Sequence, residues 1–403
     1  MKATYSPIFT SKELTSKADS NVVSFDFNPL NRVIFSPGCS DKCGAFVREL
    51  GGTRVLLVSD PGLKKVGHSD LIFSSLKKAG CEAYLFDEVE ENPEEIHVIK
   101  GRDFAKRQNI DFIVALGGGS AMDCAKGINF LLTNGGKMSD YKGIGLAKKP
   151  MLPSIGIPTT SGTGSEAQSF ALITDSSTHL KMACGDKKAA FKICLLDPIL
   201  TVSQPQMVTA ATGIDAISHA LESYVSTKKN AISQTFARQA WGMLFSNLPT
   251  VLKNPTNIEA RGAMQLGAHM AGLSIENSML GICHSCANPL TAHYGLPHGV
   301  AIGILLPHVL RFNSLHVGDF YKTLVNDIEG DSKNPETSAE VLAKIITGFL
   351  ELAGIPKNLH DCGVSHGILE VLAEEASQQW TAKFNPRPVL EKDLLEIYQL
   401  AMA

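Results

Sequence analysis

Near residue 200 the pattern of this chain changes from strands alternating with helices to helices alone. Before that point, short apolar runs are separated by amphipathic segments, and after Asp197-Pro198 the strand signal fades. Strand–helix alternation is typical of a parallel sheet covered by helices on both faces. The sequence therefore predicts an α/β domain over residues 1–200 and an all-α domain over residues 201–403. A chain of 403 residues is long enough to bury two separate cores.

The predicted strands of the first domain are short and rich in branched apolar residues: Arg54–Asp60, Glu82–Val89, Phe112–Leu116, Ser154–Pro158 and Lys192–Leu196. A hairpin is predicted over Gln168–Lys187, where two β-like runs flank the turn 175–178. Helical patterns cover Leu71–Ala79, Glu94–Gln108, Gln206–Tyr224, Ala231–Phe245, Ile258–Leu273 and Ser338–Leu352.

Composition argues against several other classes of protein. The net charge of -3 provides no basic surface for nucleic acid or for a membrane. We find no apolar stretch of the roughly 18 to 20 residues that a spanning helix needs, and no signal-peptide pattern at the start. Nine scattered cysteines favour a reducing compartment. The expectation is a cytoplasmic protein with neither nucleic acid nor membrane as partner.

Two turns rich in glycine and hydroxyl groups follow predicted strands of the sheet. The first is Gly117-Gly-Gly-Ser120, which leads into a helical pattern, and the second is Pro158-Thr-Thr-Ser-Gly-Thr-Gly-Ser165. Glycine lets the backbone approach phosphate oxygens, and a helix N-terminus stabilises their charge. One glycine run alone also fits a simple tight turn. Because both turns would meet at the carboxyl edge of the sheet, a dinucleotide is the favoured ligand.

Asp60 closes the first long predicted strand. A carboxylate at that place can accept hydrogen bonds from ribose hydroxyls and would repel a 2′-phosphate. A helix cap or turn is its alternative role, because Pro61-Gly62 follows.

The second domain carries a candidate metal site. Asp215 and His219 are spaced i, i+4 on a helical pattern, which places both side chains on one face. His284 and His298 are fourteen residues apart, and the breaker 294–297 requires the chain to turn back between them. Three imidazoles and one carboxylate suit Fe(II) or Zn(II) better than magnesium or calcium.

Neighbouring histidines and cysteines have plainer interpretations. His269 and His308 are assigned as hydrogen-bonded core histidines. Cys283-His-Ser-Cys286 has the spacing of a zinc knuckle or redox pair, but no second CxxC completes a zinc site. Both cysteines are therefore expected to pack between helices.

In combination these residues resemble the iron-containing (group III) alcohol dehydrogenase family. The similarity spans roughly residues 30 to 390 and rests on residues 117–123, 158–166, 210–222 and 293–301, with Asn385-Pro-Arg387 as a further match. The resemblance implies a Rossmann-like N-terminal domain and a helical C-terminal domain, the dehydroquinate synthase-like architecture, with cofactor and metal in the cleft between them.

The resemblance also implies residue roles. The metal ligands, through which catalysis would proceed, are Asp215, His219, His284 and His298. The cofactor contacts are Asp60, Asn92, Gly118, Gly119, Ser120, Asp123, Thr159, Thr160 and Lys181. The expected metal is Fe(2+), with Zn(2+) as the alternative, and an acid at position 60 accompanies NAD rather than NADP.

One position departs from the family pattern. Many members have a further histidine four residues after the third ligand, and this chain has Asn288 there. Asparagine can hydrogen-bond but cannot titrate near neutral pH. If that histidine relays the alcohol proton in relatives, this protein needs another route. Candidates are the cofactor ribose hydroxyl, water or His293.

The expected function is hydride transfer between NAD(H) and a small alcohol or aldehyde, with the metal as Lewis acid. We expect a homodimer or larger homo-oligomer. Two alternatives stay open: a regulatory homologue that binds NAD and metal with little turnover, and a hydroxyacid–oxoacid transhydrogenase. A sugar-phosphate cyclase related to dehydroquinate synthase would need basic phosphate-binding residues that are not seen around the metal histidines.

Overall fold

A parallel sheet forms the centre of the N-terminal half. The computed structural model describes residues 23–176, 181–330 and 337–403. Its strands are β1 (Arg32–Phe35), β2 (Arg54–Val58), β3 (Glu82–Phe86), β4 (Phe112–Gly117), β6 (Ser154–Pro158) and β9 (Ile193–Leu196). The strand order is β1-β9-β6-β4-β2-β3, and every neighbouring pair runs parallel.

Helices cover this sheet, and a small second sheet lies beside it. The helices are α1 (Cys43–Glu49), α2 (Pro61–Lys65), α3 (His68–Lys78), α4 (Glu95–Arg107) and α5 (Gly119–Asn134). The second sheet contains β5 (Gly143–Ile144), β7 (Phe170–Thr174) and β8 (Lys181–Gly185), with β7 and β8 antiparallel. Strands β4 and β6 are buried along their whole length, as parallel strands between two helical layers must be.

The C-terminal half consists of packed helices around a second core. They are α6 (Gln206–Val225), α7 (Ala231–Lys253), α8 (Ile258–Glu276), α9 (Ile282–Tyr294), α10 (His298–Glu329), α11 (Ser338–Ala353), α12 (Leu369–Ser377) and α13 (Glu391–Ala401). Gly295, with φ 60°, ends α9, and Pro297 precedes α10, so the chain reverses between them as the sequence predicts.

The predicted fold class is confirmed, and the predicted strands and helices all form. Most of their ends shift by a few residues, but the helix predicted over Ala231–Phe245 continues to Lys253. Sequence analysis missed β1 and β5. Strand β1 is short and mostly exposed at the sheet edge, and β5 has only two residues, so neither has a strong hydrophobic signal. Part of the predicted hairpin turn, residues 177–178, lies outside the described residues.

Within the described ranges, α10 is the one helix long and apolar enough to cross a membrane, a segment that sequence analysis did not single out. About two thirds of its most apolar window, 67%, is buried inside the protein, which is also how a core helix behaves.

Candidate metal and cofactor site

Four side chains from three helices meet in the second domain. Asp215 and His219 lie one turn apart on α6, His284 is on α9, and His298 is the first residue of α10. The Nε2 atoms of His219, His284 and His298 lie 3.3, 3.4 and 3.8 Å from Asp215 Oδ1. Ligand atoms about 2.0 to 2.2 Å from a tetrahedral ion are separated by roughly 3.3 to 3.6 Å. The distances of His219 and His284 lie within this range and that of His298 is slightly longer, so the spacing is close to that of ligands around a single ion.

Hydrogen bonding within this cluster is incomplete. Asp215 Oδ1 and His284 Nε2 are buried and have no hydrogen-bond partner among the described residues. Donor atoms of Asp215, His284 and His298 all lie within 4.8 Å of one another, and His219 joins them through its contact with Asp215. Leaving buried polar atoms unpaired is costly, and a coordinated ion would satisfy them. One carboxylate and three imidazoles thus fit the metal that the sequence predicts.

Metal binding requires a carboxylate and neutral imidazoles, and Asp215, His219 and His298 have pKa shifts in the direction that meets this requirement. Burial lowers the pKa of His219, and burial together with the Lys181 charge lowers the pKa of His298 well below its ordinary value. Burial opposes ionisation of Asp215, but the histidines, His219 foremost, hold the pKa of its carboxyl below the usual range. His284 differs: although burial opposes it, negative charge on Glu222 and Asp215 raises its pKa to about 9.

At the other side of the cleft, Asp60 lies beside the first glycine turn. One carboxylate oxygen accepts the N-terminal N–H of Leu63, at 3.0 Å, and so caps α2. The other oxygen faces Gly117, 3.5 Å from where a Cβ would be. Gly117 has φ 151°, which an L side chain rarely adopts. The helix cap uses only one of the two carboxylate oxygens of Asp60, so the predicted hydrogen bonds to a ribose do not compete with it.

The two turns contact each other, as predicted. The backbone N–H of Thr159 donates to Gly117 O at 3.0 Å. A Cβ on Gly118 would lie 3.2 Å from Thr160, and one on Gly119 would lie 2.7 Å from Thr163. The absence of side chains therefore lets the turns pack together at the N-terminus of α5, where free N–H groups can meet a phosphate.

Three more of the predicted cofactor-binding residues lie around the N-terminus of α5. The N–H of Asn92, which has φ 51°, donates to Ser120 Oγ at 3.2 Å. Asp123 is buried and accepts a hydrogen bond of 2.6 Å from Ser165 Oγ, so it also holds the second turn. Burial raises the pKa of Asp123, against the attraction of Lys126.

A cavity of about 190 Å³ opens between the two halves of the chain. Its wall consists of residues of the first half, residues of α9 and one residue of the loop after α12: Glu91, Asn92, Glu94, Thr174, Lys181, Asn288, Thr291, Ala292 and Gln379. Asn92, Lys181 and Asn288 therefore face one space, on the side of α9 that carries His284. Hydrophilic lining suits a cofactor ring with polar substituents and a small hydroxylated or carbonyl substrate.

The structure separates the two residues considered for proton transfer. Asn288 lies one turn after His284, and its amide donates to Gln379 Oε1 at 3.1 Å. His293 lies nine residues after His284, half a turn round α9, and its Nε2 pairs with Glu375 at 2.9 Å. The structure thus does not bring His293 to the metal cluster.

His269, Cys283 and Cys286 are packing residues, as predicted. His269 is buried with its Nδ1 3.0 Å from Glu166 Oε1, and the two cysteines are buried free thiols. His308 is only half-buried, with its pKa lowered to about 4 by burial, so it is not the core histidine that the sequence predicts.

Sequence reasoning missed Glu222 and Gln379. Glu222 follows Asp215 by seven residues, which returns it to the same face of α6, so helical spacing could have found it. Gln379 follows α12 in a loop and has no sequence signal of its own.

A sheet domain with two phosphate-type turns, facing a helical domain with a His₃Asp cluster, defines a metal-dependent dehydrogenase. The chain belongs to the iron-containing alcohol dehydrogenase family. The model of iron-containing alcohol dehydrogenases matches residues 30–198, and the model of the family's C-terminal region matches residues 209–402. The predicted family and the predicted alcohol dehydrogenase class are therefore confirmed.

Named relatives extend over nearly the whole chain. It is 32% identical to the NAD-dependent methanol dehydrogenase of Bacillus methanolicus, over 92% of this chain and 97% of the relative. It is 36% identical to alcohol dehydrogenase 4 of Schizosaccharomyces pombe, over 92% and 87% of the two chains. The solved structure of a 1,3-propanediol oxidoreductase superposes with a TM-score of 0.91 at 34% identity, covering 94% of this chain and all of that one.

Proposed function

We propose that this chain is an NAD(H)-dependent alcohol dehydrogenase or aldehyde reductase with one divalent metal ion held by Asp215, His219, His284 and His298. The observation that carries the proposal is the buried cluster of four residues with unpaired polar atoms, one of them on α9, the helix that also lines the cavity shared with Asn92 and Lys181. The expected ion is Fe(2+), with Zn(2+) as the alternative. An NAD-dependent methanol dehydrogenase among the relatives supports the choice of cofactor and of a small alcohol as substrate.

The positions of the side chains indicate the role of each group in the reaction. When bound, the ion supplies Lewis acidity toward an alcohol or carbonyl oxygen, and NAD(H) accepts or donates hydride. Asp60 and the two turns, with Ser120, Asp123, Thr159 and Thr160, would hold the adenosine and phosphate end. Asn92 and Lys181 line the cavity in which the nicotinamide would meet the substrate carbon.

Asn288 forms part of this cavity without being able to exchange a proton. Its amide is engaged with Gln379, which fixes its orientation. Because His293 is turned away toward Glu375, the alcohol proton would leave through the cofactor ribose hydroxyl or through water.

We also propose a division into domains 1–200 and 201–403, a cytoplasmic location and a homo-oligomeric state. The change from β9 to uninterrupted helices from α6 onward supports the division. The scattered free cysteines support a reducing compartment.

A substrate panel followed by NADH absorbance tests the proposed function. Iron-loaded wild-type protein should turn over a short alcohol, diol or aldehyde at an ordinary rate, on the order of 1 to 10³ per second with its proper substrate. The rival function, favoured by Asn288, is a regulatory homologue that binds NAD and metal but is nearly inert. Negligible turnover across the whole panel would favour that rival.

The substitution Asn288→His should add an ionisation to the pH profile. In an enzyme that has rerouted its proton, wild-type kcat should show no limb that belongs to residue 288. An imidazole placed there ionises near neutral pH, so a limb should appear or move while metal and NAD binding stay nearly unchanged. A gain of roughly 10² to 10⁴ in rate on an inert background would instead identify the regulatory homologue.

The substitution Asp60→Gly should relax the preference for NAD. The wild type should use NAD much better than NADP, because a 2′-phosphate beside the carboxylate is repelled and the ribose hydrogen bonds are lost. The variant also loses the side-chain cap of α2, which for glycine costs only about a few tenths of a kcal/mol of stability. Asp60→Asn is the matched control for the loss of the cap, because it keeps an oxygen that can accept the Leu63 N–H but removes the negative charge. Equal wild-type kcat/KM for the two cofactors would contradict the assignment.

A further inference from the structure

Behind one of the four metal ligands lies a second buried carboxylate. Glu222 is on α6, and its side chain is 5% exposed. Its Oε2 accepts a hydrogen bond from His284 Nδ1 and a second, of 3.2 Å, from Ser218 Oγ. Its Oε1 accepts the backbone N–H of Cys283 at 2.9 Å. Glu222 is thus fixed by α6 on one side and by the start of α9 on the other.

Glycine at position 281 leaves space for the Glu222 carboxylate. A Cβ on Gly281 would lie 3.1 Å from Glu222 Oε1 and 3.0 Å from Asn385 Oδ1. Asn385 belongs to the segment Asn385-Pro-Arg387, and it exchanges two amide hydrogen bonds with Asn313, at 3.1 and 2.8 Å. The Asn313–Asn385 pair packs against Gly281, so the segment Asn385-Pro-Arg387 helps to hold the region beside the metal site in place.

The arrangement distinguishes His284 from the other two histidines. Nδ1 of His219 and Nδ1 of His298 have no hydrogen-bond partner among the described residues, whereas Nδ1 of His284 is bound to Glu222. An imidazole can offer its Nε2 lone pair only when its remaining proton is on Nδ1. A carboxylate can only accept a hydrogen bond, so it selects that tautomer.

We propose that Glu222 is a positioning residue of the metal site, which holds His284 in the tautomer and orientation that direct Nε2 toward the ion. This inference rests on the proposed function, since it presupposes that the cluster binds a divalent metal. His284 is then the ligand fixed in advance, and His219 and His298 complete the coordination around it and Asp215.

The substitution Glu222→Gln tests this with almost no change in shape. The N–H of Cys283 requires an acceptor, so the glutamine oxygen should turn to it and the amide NH₂ should face His284 Nδ1. That donor would force the ring proton onto Nε2, the wrong tautomer for ligation. Affinity for Zn(2+), measured against a chromophoric chelator on metal-free protein, should fall about 10- to 100-fold. The side-chain ¹⁵N shifts of His284 in the metal-free protein, recorded at a pH above its pKa of about 9 so that the ring is neutral, should show the exchanged tautomer.

Glu276→Gln provides the matched control. Glu276 is also a largely buried carboxylate that accepts two hydrogen bonds, from Ser169 N at 3.0 Å and Ser169 Oγ at 2.7 Å, and neither partner is a metal ligand. The same isosteric change there should leave Zn(2+) affinity and the tautomer of His284 unchanged. Glu222→Asp keeps the negative charge but withdraws the carboxylate by one methylene, so its affinity should lie between wild type and Glu222→Gln.

The outcomes separate the inference from the proposed function. Wild-type protein that binds about one equivalent of Zn(2+), with a Glu222→Gln variant of equal affinity, overturns the role of Glu222 and leaves the metal site standing. An equal loss of affinity in Glu276→Gln also overturns it, because the effect would then be one of general stability. Wild-type protein that binds no metal overturns the proposed function together with the inference. If Glu222→Gln does not fold, Glu222→Asp decides, and wild-type affinity in that variant contradicts the role.

Discussion

Replacing His284 with alanine should leave the chain folded, nearly free of metal, and about 10³-fold less active. Its Nε2 is buried 3.4 Å from Asp215 Oδ1 and has no hydrogen-bond partner among the described residues. The variant therefore loses a metal-ligating nitrogen that no nearby side chain in the described ranges replaces. Lewis-acid stabilisation is worth several kcal/mol, and each 1.36 kcal/mol corresponds to about tenfold in rate. Elemental analysis of anaerobically purified wild type should find iron or zinc near one equivalent per chain.

The matched control for this experiment is His293→Ala. His293 is on the same helix, but it faces Glu375 on the opposite side from His284, so metal content should stay at the wild-type level. Full metal and full activity in His284→Ala would refute the ligand assignment. Loss of metal in both variants would show that damage to α9, and not loss of a ligand, is the cause.

Part of this site could be predicted from sequence because its signals are local. The spacing of Asp215 and His219 places them on one helix face whatever the rest of the fold does. The breaker between α9 and α10 marks a reversal that returns His298 toward His284, and the structure has both features. The strands β4 and β6 were equally predictable, because each is an apolar run buried on both faces.

Other parts depend on contacts between distant segments. The prediction that His293 was a candidate proton route came from its position near the ligands in sequence, and its orientation toward Glu375 depends on how α12 packs. Gln379 reaches Asn288 from ninety-one residues away, which no local pattern indicates. Asp60 had two candidate roles, and the geometry shows that one oxygen caps α2 while the other lies near Gly117; its ribose role stays a prediction.

A glycine beside His298 connects the fold to the metal site. Gly299 is the second residue of α10 and lies against α6, where an added Cβ would overlap the backbone O and C atoms of Ala211. These are backbone atoms of a buried helix, so no side chain can move aside. Ala211 is one turn before Asp215, and hence the same contact sets how closely His298 approaches the carboxylate, at 3.8 Å.

The substitution Gly299→Ala should therefore separate α10 from α6 and reduce both stability and metal occupancy. Overpacking of this kind costs about 3 kcal/mol, which should appear in thermal unfolding of the metal-free protein, and a displaced His298 should weaken metal binding in addition. Gly318→Ala is the control, because Gly318 is exposed on the same helix with nothing within 4 Å of an added Cβ. Alanine there should stabilise the helix by about 0.5 to 1 kcal/mol and leave the metal in place. Wild-type unfolding temperature and full metal content in Gly299→Ala would show that the helices have room to adjust, and that the position of His298 does not depend on their close contact.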